Sequence, residues 1–231
     1  MPNNYIATVQ QLGPVDTQFS NVVLLIAGNG AVGSDPWIDS SNKKKTGLVA
    51  TGSGVISNAK SKWGGNSIYL PGSINDRYVL PADPDFDIGG GDMTFECWIN
   101  PDALEVVQQQ IPFALDGGTA ANPILFFWND GTVVIRQFNT SGSIAGPVAH
   151  GMTNGNWYHI AWTRFGNVYS VWINGVFKAS VTMTTIPSEV KALRMFAGFK
   201  GYVSDIRVTK TVARYTGNGN FTPPAARFPT H

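Results

Sequence analysis

The chain of 231 residues carries 16 Lys and Arg against 15 Asp and Glu, and only 13% of it is charged. Binding along a nucleic-acid backbone needs a clustered positive excess, so this balance argues against a general nucleic-acid partner. At this length one core buries about 70% of the unfolded chain's surface, so the lone Cys97 needs no bridge and no metal is required for ordinary stability.

Met1 to Tyr5 lacks the basic start of a signal peptide, and the apolar run Val22 to Ala27 is too short to span a bilayer. Synthesis in a cytoplasm without membrane insertion is the expectation. Residues 1–18 are polar, contain Pro2, Gly13 and Pro14, and read as an N-terminal arm with sparse apolar anchors at Tyr5, Ile6, Val9, Leu12 and Val15. Residues 19–231 form the folded domain, with a C-terminal extension from about residue 216.

Within the domain, β-branched and aromatic runs recur between Gly, Asn, Asp and Pro clusters. They are Asn21 to Ala27, Ser67 to Leu70, Arg77 to Leu80, Met93 to Asn100, Ile124 to Trp128 and Thr132 to Phe138. Trp157 to Arg164, Val168 to Ile173, Val176 to Thr182, Ala192 to Phe199 and Gly201 to Thr209 complete the set. Many strands without a long 3.6-residue pattern predict an antiparallel sandwich or barrel. The basic run Lys43 to Lys45 lies in a Ser/Asn/Thr/Gly-rich stretch and reads as a solvated loop, the alternative being a contact with phosphate or an acidic polymer. Asp102 to Gln110, after Pro101, is the one candidate for a short helix.

Two turns follow from backbone chemistry. Asn174-Gly175 and Asn129-Asp130-Gly131 join strand runs through residues that tolerate positive φ, as a two-residue hairpin turn requires. Alternation then assigns faces: Met93, Phe95, Cys97 and Ile99 point one way, and Thr94, Glu96, Trp98 and Asn100 the other. Phe95, Cys97, Ile99, Ile160, Trp162, Val171, Ile173, Ile206 and Val208 are the expected core, with Cys97 as a small buried hydrophobe.

Six segments, FSNVVLLIAGNG from Phe19, IDSS from Ile38, KWGGNSIYL from Lys62, FDIGGGDMTFECWINP from Phe86, NWYHIAWTRFGNVYSVWINGV from Asn156 and GYVSDIRVTKTVARY from Gly201, together resemble the laminin-G-like domains common in bacteriophage virion proteins. The closing NFTPPAARFP from Asn220 is similar to their usual end. The resemblance spans about residues 17–229. It implies an all-β, two-sheet antiparallel jelly-roll sandwich of the concanavalin A-like kind. It also implies a place on a virion as a head decoration, fibre or tail-associated module. The expected partners are other virion proteins or identical subunits, held through the arm, and host cell-surface glycans. Such sandwiches serve as lectins, adhesion modules, glycanases and plain structural parts, so a subunit clamp without ligand stays open beside the lectin-like reading.

Catalysis is not expected. Glycan hydrolysis on this kind of sandwich needs two carboxylates facing one cleft, whereas Glu96, Glu105 and Glu189 are the only glutamates and no strand carries two. His150, His159 and His231 are scattered, and no Gly-x-Ser-x-Gly elbow occurs. No cofactor is called for. The resemblance does point to Asp205 as a structural calcium ligand, the alternative being an ion pair with Arg207 or an adjacent strand. Trp98, Trp128, Trp172 and Asn174 are the candidate ligand-binding residues. Trp172, flanked on its face by Ser170 and Asn174, suits the flat C–H face and hydroxyls of a sugar, the alternative being that these rings fill the second face of a large sandwich.

Overall fold

The computed structural model describes residues 15–73, 76–87, 89, 91–104, 110–116, 124–129, 131–137, 145–184 and 188–231, with the side chains of 124–129 and 137 left out of the description. In chain order the strands are β1 (Val22–Ile26), β2 (Val49–Ala50), β3 (Val55–Ser57), β4 (Ser67–Pro71) and β5 (Tyr78–Asp83). There follow β6 (Met93–Pro101), β7 (Gln110–Asp116), β8 (Ile124–Asn129), β9 (Thr132–Gln137) and β10 (Ala145–Ala149). The last are β11 (Tyr158–Phe165), β12 (Val168–Ile173), β13 (Val176–Thr182), β14 (Lys191–Ala197) and β15 (Lys200–Lys210). Two short 3₁₀ turns, Phe19–Asn21 and Pro84–Phe86, are the helical pieces among the described residues.

The strands pair antiparallel into two sheets, the predicted jelly-roll sandwich. One runs β13-β12-β11-β6-β15-β4-β3, and β1 also pairs with β15; the other runs β10-β9-β8-β7-β14-β5-β2. The 11-residue β15 serves two partners along one edge, β4 against Lys200–Val203 and β1 against Ile206–Thr209. Between those stretches the register against β6 slips from Ser204↔Trp98 to Arg207↔Glu96, and Asp205 takes a left-handed backbone, φ +50°. This bulge inverts the alternation, so Val203 and then Ile206 and Val208 all face inward while Asp205 and Arg207 face out.

All nine expected core residues are buried between the sheets. Phe95 links the layers, stacked on Trp162 of its own sheet at 4.8 Å and meeting Phe113 of the facing sheet at 5.6 Å. Ile173→Ala is expected to cost about 2–5 kcal/mol in denaturant unfolding because the cavity cannot close fully. A cost under about 0.5 kcal/mol would place Ile173 at the surface.

The Asn174–Gly175 turn is as expected: both residues have positive φ, and Ile173 pairs with Val176 across it. Asn129 pairs with Thr132, so β8 and β9 also form a hairpin, although Asp130 lies outside the described residues. Of the candidate helix, residues 105–109 lie outside the described residues, while Gln110 opens β7. Strands β2, β3, β7 and β10 were not expected from the runs above.

Candidate functional site

The outer face of the larger sheet, where alternation places Trp98 and Trp172, is not an open surface. The segment after β15 folds back across it. Tyr215 and Phe221 stack in parallel, 3.7 Å apart, and flank Trp172, whose Nε1 donates to the Gly219 carbonyl at 3.1 Å. Trp172 is 0% exposed. Trp98 is 5% exposed and packs with Trp63, Phe228 and Leu25, with the Lys62 ammonium 3.9 Å from its ring centroid. Asn174 is exposed, but its side-chain oxygen accepts from the His159 N–H at 2.8 Å and so serves the turn. The wet sugar-binding face expected at Trp98, Trp172 and Asn174 is therefore corrected: the chain's own C-terminal residues cover both indoles, and the Asn174 oxygen is engaged in the turn. Trp128 lies on β8 and its side chain is outside the described residues.

The same segment is anchored by a buried ionic cluster. Glu96 accepts from Arg207 Nε at 2.9 Å and from the Tyr215 hydroxyl at 2.8 Å, and its Oε2 lies 3.0 Å from His159 Nε2. Asp16 continues the network, accepting from Arg207 at 3.0 Å and from Arg214 at 2.7 Å. Burial alone would push the Glu96 carboxyl up; Arg207, the His159 hydrogen bond and Arg214 outweigh it and hold the group at about 2. Burial, then Glu96 itself, pushes the Tyr215 phenol up, so it stays a donor. Glu96 is thus a sealed anion holding the C-terminal segment and Asp16 onto the sheet. His159 is fully buried and hydrogen-bonded to Glu96.

Asp205 does not pair with Arg207. Its Oδ2 accepts from Trp63 Nε1 at 2.7 Å and Ser204 Oγ at 2.6 Å and faces Arg227 Nη1 at 3.4 Å, while its Oδ1 has no hydrogen-bond partner among the described residues. Calcium takes 6–8 oxygen ligands. Here the Arg227 guanidinium occupies one side of the Asp205 carboxylate, and among the described residues no three His, Cys, Asp or Glu side chains gather. These residues do not fit a calcium ion. Chelator is accordingly expected to leave the melting temperature unchanged; a drop that vanishes in Asp205→Ala would show a bound cation.

An open site does exist at one end of the sandwich. Residues 33–39, 44–48, 50, 52, 54 and 55 line a cleft of about 730 Å³. At its base Trp37 lies half-buried on the Tyr78 ring, centroids 4.5 Å apart. Gly54 makes room, since a Cβ there would stand 3.2 Å from Trp37 and 3.3 Å from Tyr78. Ile38 and Val55 on the walls are 65% and 36% exposed. Asp35 fixes Trp37 by accepting from its backbone N–H at 2.9 Å. Buried Asp39 braces the far wall, accepting from the N–H groups of Leu25, Ser41 and Lys45 at 2.7–2.8 Å and from Ser41 Oγ at 2.8 Å. Lys45 is not a free loop lysine: its Nζ reaches Asp83 at 2.7 Å and Asp85 at 2.6 Å. The cleft therefore offers a held aromatic ring, aliphatic walls and a charged rim. None of its residues was named as a ligand-binding candidate from sequence, although Lys44 and Lys45 belong to the basic run and Ile38 and Asp39 to the IDSS segment. The available signal was a lone tryptophan between Asp35-Pro36 and Ile38-Asp39 in a stretch without strand character.

The family model of the concanavalin A-like lectin/glucanases superfamily matches residues 71–212. The chain belongs to that superfamily. Domain 4 of AbnA, an extracellular arabinanase from Geobacillus stearothermophilus solved with arabinotriose, superposes with a TM-score of 0.59 at 15% identity over 88% of this chain and 95% of that one. The botulinum neurotoxin type C structure, whose cell entry depends on two ganglioside molecules, gives 0.60 at 9% identity over 85% of this chain and 49% of that one. The receptor-binding domain of the C/D mosaic neurotoxin gives 0.59 at 10% identity, again over about half of its length, 49%. At these identities the likeness is one of fold. A search of the curated proteins finds no match. This superfamily member is thus a lectin-like sandwich whose fold resembles that of receptor-binding domains.

Proposed function

We propose that this lectin-like sandwich is a non-catalytic surface protein of a bacteriophage virion, a head decoration, fibre or tail-associated module, that binds host glycans in the end cleft. The observation that carries the glycan reading is Trp37, a partly buried indole packed at a tilt of 34° on Tyr78 in a cleft with polar groups at its rim. Sugars stack C–H faces on such rings and direct hydroxyls to nearby acceptors and donors. Structural relatives solved with arabinotriose or dependent on gangliosides agree with that choice of ligand class. The virion assignment rests on the sequence resemblance to phage laminin-G-like domains. The non-catalytic reading rests on Glu96, whose carboxylate is engaged on both oxygens and closed off from solvent. A glycan array probed with the intact chain tests the reading: bound sugars whose retention disappears in Trp37→Ala support it, and an array without hits rejects it.

A subunit-clamping role is favoured by one further observation. Asp16 donates its N–H to the carbonyl of His231 at 3.1 Å and is ion-paired to Arg207 and Arg214, so the chain at Asp16 is held on the sandwich. In this reading the arm attaches the protein to other virion proteins or to identical subunits. Deleting residues 1–14, which spares Asp16, is expected to leave a folded sandwich that is missing from particles. Full incorporation of the truncated chain would place attachment on the sandwich itself.

A further inference from the structure

We propose that the end cleft selects anionic saccharides and that Lys44 is the residue that reads their negative charge. This rests on the glycan reading above and adds a ligand class to it. Of three consecutive lysines, Lys44 and Lys45 line the cleft while Lys43 lines only a smaller cavity next to it, and their surroundings differ. Lys45 is neutralised between Asp83 and Asp85, and Lys43 Nζ stands 3.9 Å from Asp85. Lys44, exposed between them, has no hydrogen bond or ion pair among the described residues.

Its backbone is held at φ +49°, in the region that favours glycine. Neighbours on both sides impose that conformation: Asp39 grips Ser41 and the Lys45 N–H, and the Lys45 ammonium is tied to the turn at Asp83 and Asp85. A solvated loop lysine needs no such bracing, and strain maintained by the surrounding structure is a signature of a functional position. Lys44 also lines both the main cleft and an adjoining cavity of about 250 Å³ bounded by Thr46, Leu80, Pro81 and Phe86. An unpaired ammonium lining the same cleft as a partly buried indole is complementary to a sugar ring bearing a carboxylate or sulfate. Asp35, also on the cleft wall, spends its Oδ1 on the Trp37 N–H and leaves Oδ2 to accept a hydroxyl. The pair orients the ligand, with charge towards Lys44 and hydroxyls towards Asp35.

The test uses the intact chain on an array of matched pairs: uronate oligosaccharides with their methyl esters, and sulfated glycans with their desulfated forms. The expected result is an acidic-over-neutral preference of about fivefold or more at low ionic strength, shrinking as salt is added. Lys44→Asn, which tolerates the same backbone, removes the acidic-over-neutral preference, and Lys44→Arg keeps it. Which pair shows the preference tells carboxylate from sulfate recognition. Equal retention of acidic and neutral members overturns the inference while leaving the glycan reading intact. An acidic preference that survives Lys44→Asn overturns the role of Lys44. No retention of any glycan removes the glycan reading and this inference together.

Discussion

Glu96→Gln is expected to lower stability by about 3–5 kcal/mol in denaturant unfolding, because a buried ion network that loses one partner keeps an uncompensated charge. In the intact cluster Glu96 and Asp16 balance Arg207 and Arg214. Glutamine fills the same space and leaves one positive charge in excess. The same group sets an acid limit. Its carboxyl lies near 2 in the fold against 4.5 as a free side chain, so between those values the unfolded chain takes up a proton that the folded chain refuses. Stability therefore falls as pH drops through that window, by on the order of 3 kcal/mol from this residue. The variant should show a flatter acid branch. A variant that unfolds within about 1 kcal/mol of the parent would mean that Glu96 is solvated. Glycan cleavage lost on this substitution would contradict the non-catalytic reading outright.

Ending the chain after Tyr215 is expected to lower the melting temperature by about 10 °C or more. Residues 216–231 look dispensable in the sequence, yet they carry the partly buried Phe221 and the buried Phe228, whose burial contributes about 2–5 kcal/mol together. They also supply the Gly219 carbonyl to Trp172 and the Arg227 contacts to Asp205, Ala27 and Asn66. Domains of this size shift by about 2–4 °C per kcal/mol, so the loss is readable by calorimetry. Gly175 fixes where the segment lands: its carbonyl accepts from the Phe221 N–H at 2.9 Å, and a side chain there would collide with the Phe221 carbonyl. A truncated chain that melts within a few degrees of the intact one would mark the segment as an appendage.

The inner half of the sandwich was legible in the sequence because period-two alternation is local. Met93 to Ile99 and Val168 to Ile173 declare their inward residues without reference to anything distant, and the Asn174–Gly175 turn sets its strand pair in register. The outer half was not legible. Alternation states that Trp98 and Trp172 share the second face, but what covers that face comes from Tyr215, Phe221 and Phe228, and only the packed fold brings them there. Strands β2 and β3 are too short to rise above loop composition, and Pro112 interrupts the pattern of β7. The bulge at Asp205 has no sequence marker, since the residue that adopts φ +50° is neither Gly nor Asn. The cleft escaped for a related reason. Its parts are one tryptophan and several loop backbones, and they become a site only when Asp39 and Lys45 hold the loops in place.

The claim that ligand enters at Trp37 is tested most directly by the indole N–H resonances of the seven tryptophans, followed by NMR while a glycan retained on the array is titrated into the intact chain. The account predicts that the Trp37 resonance moves in proportion to occupancy while those of Trp162 and Trp172, buried in the sandwich, stay in place. Movement of Trp98 and Trp172 with Trp37 unchanged would contradict it and return the binding surface to the face that the C-terminal segment covers.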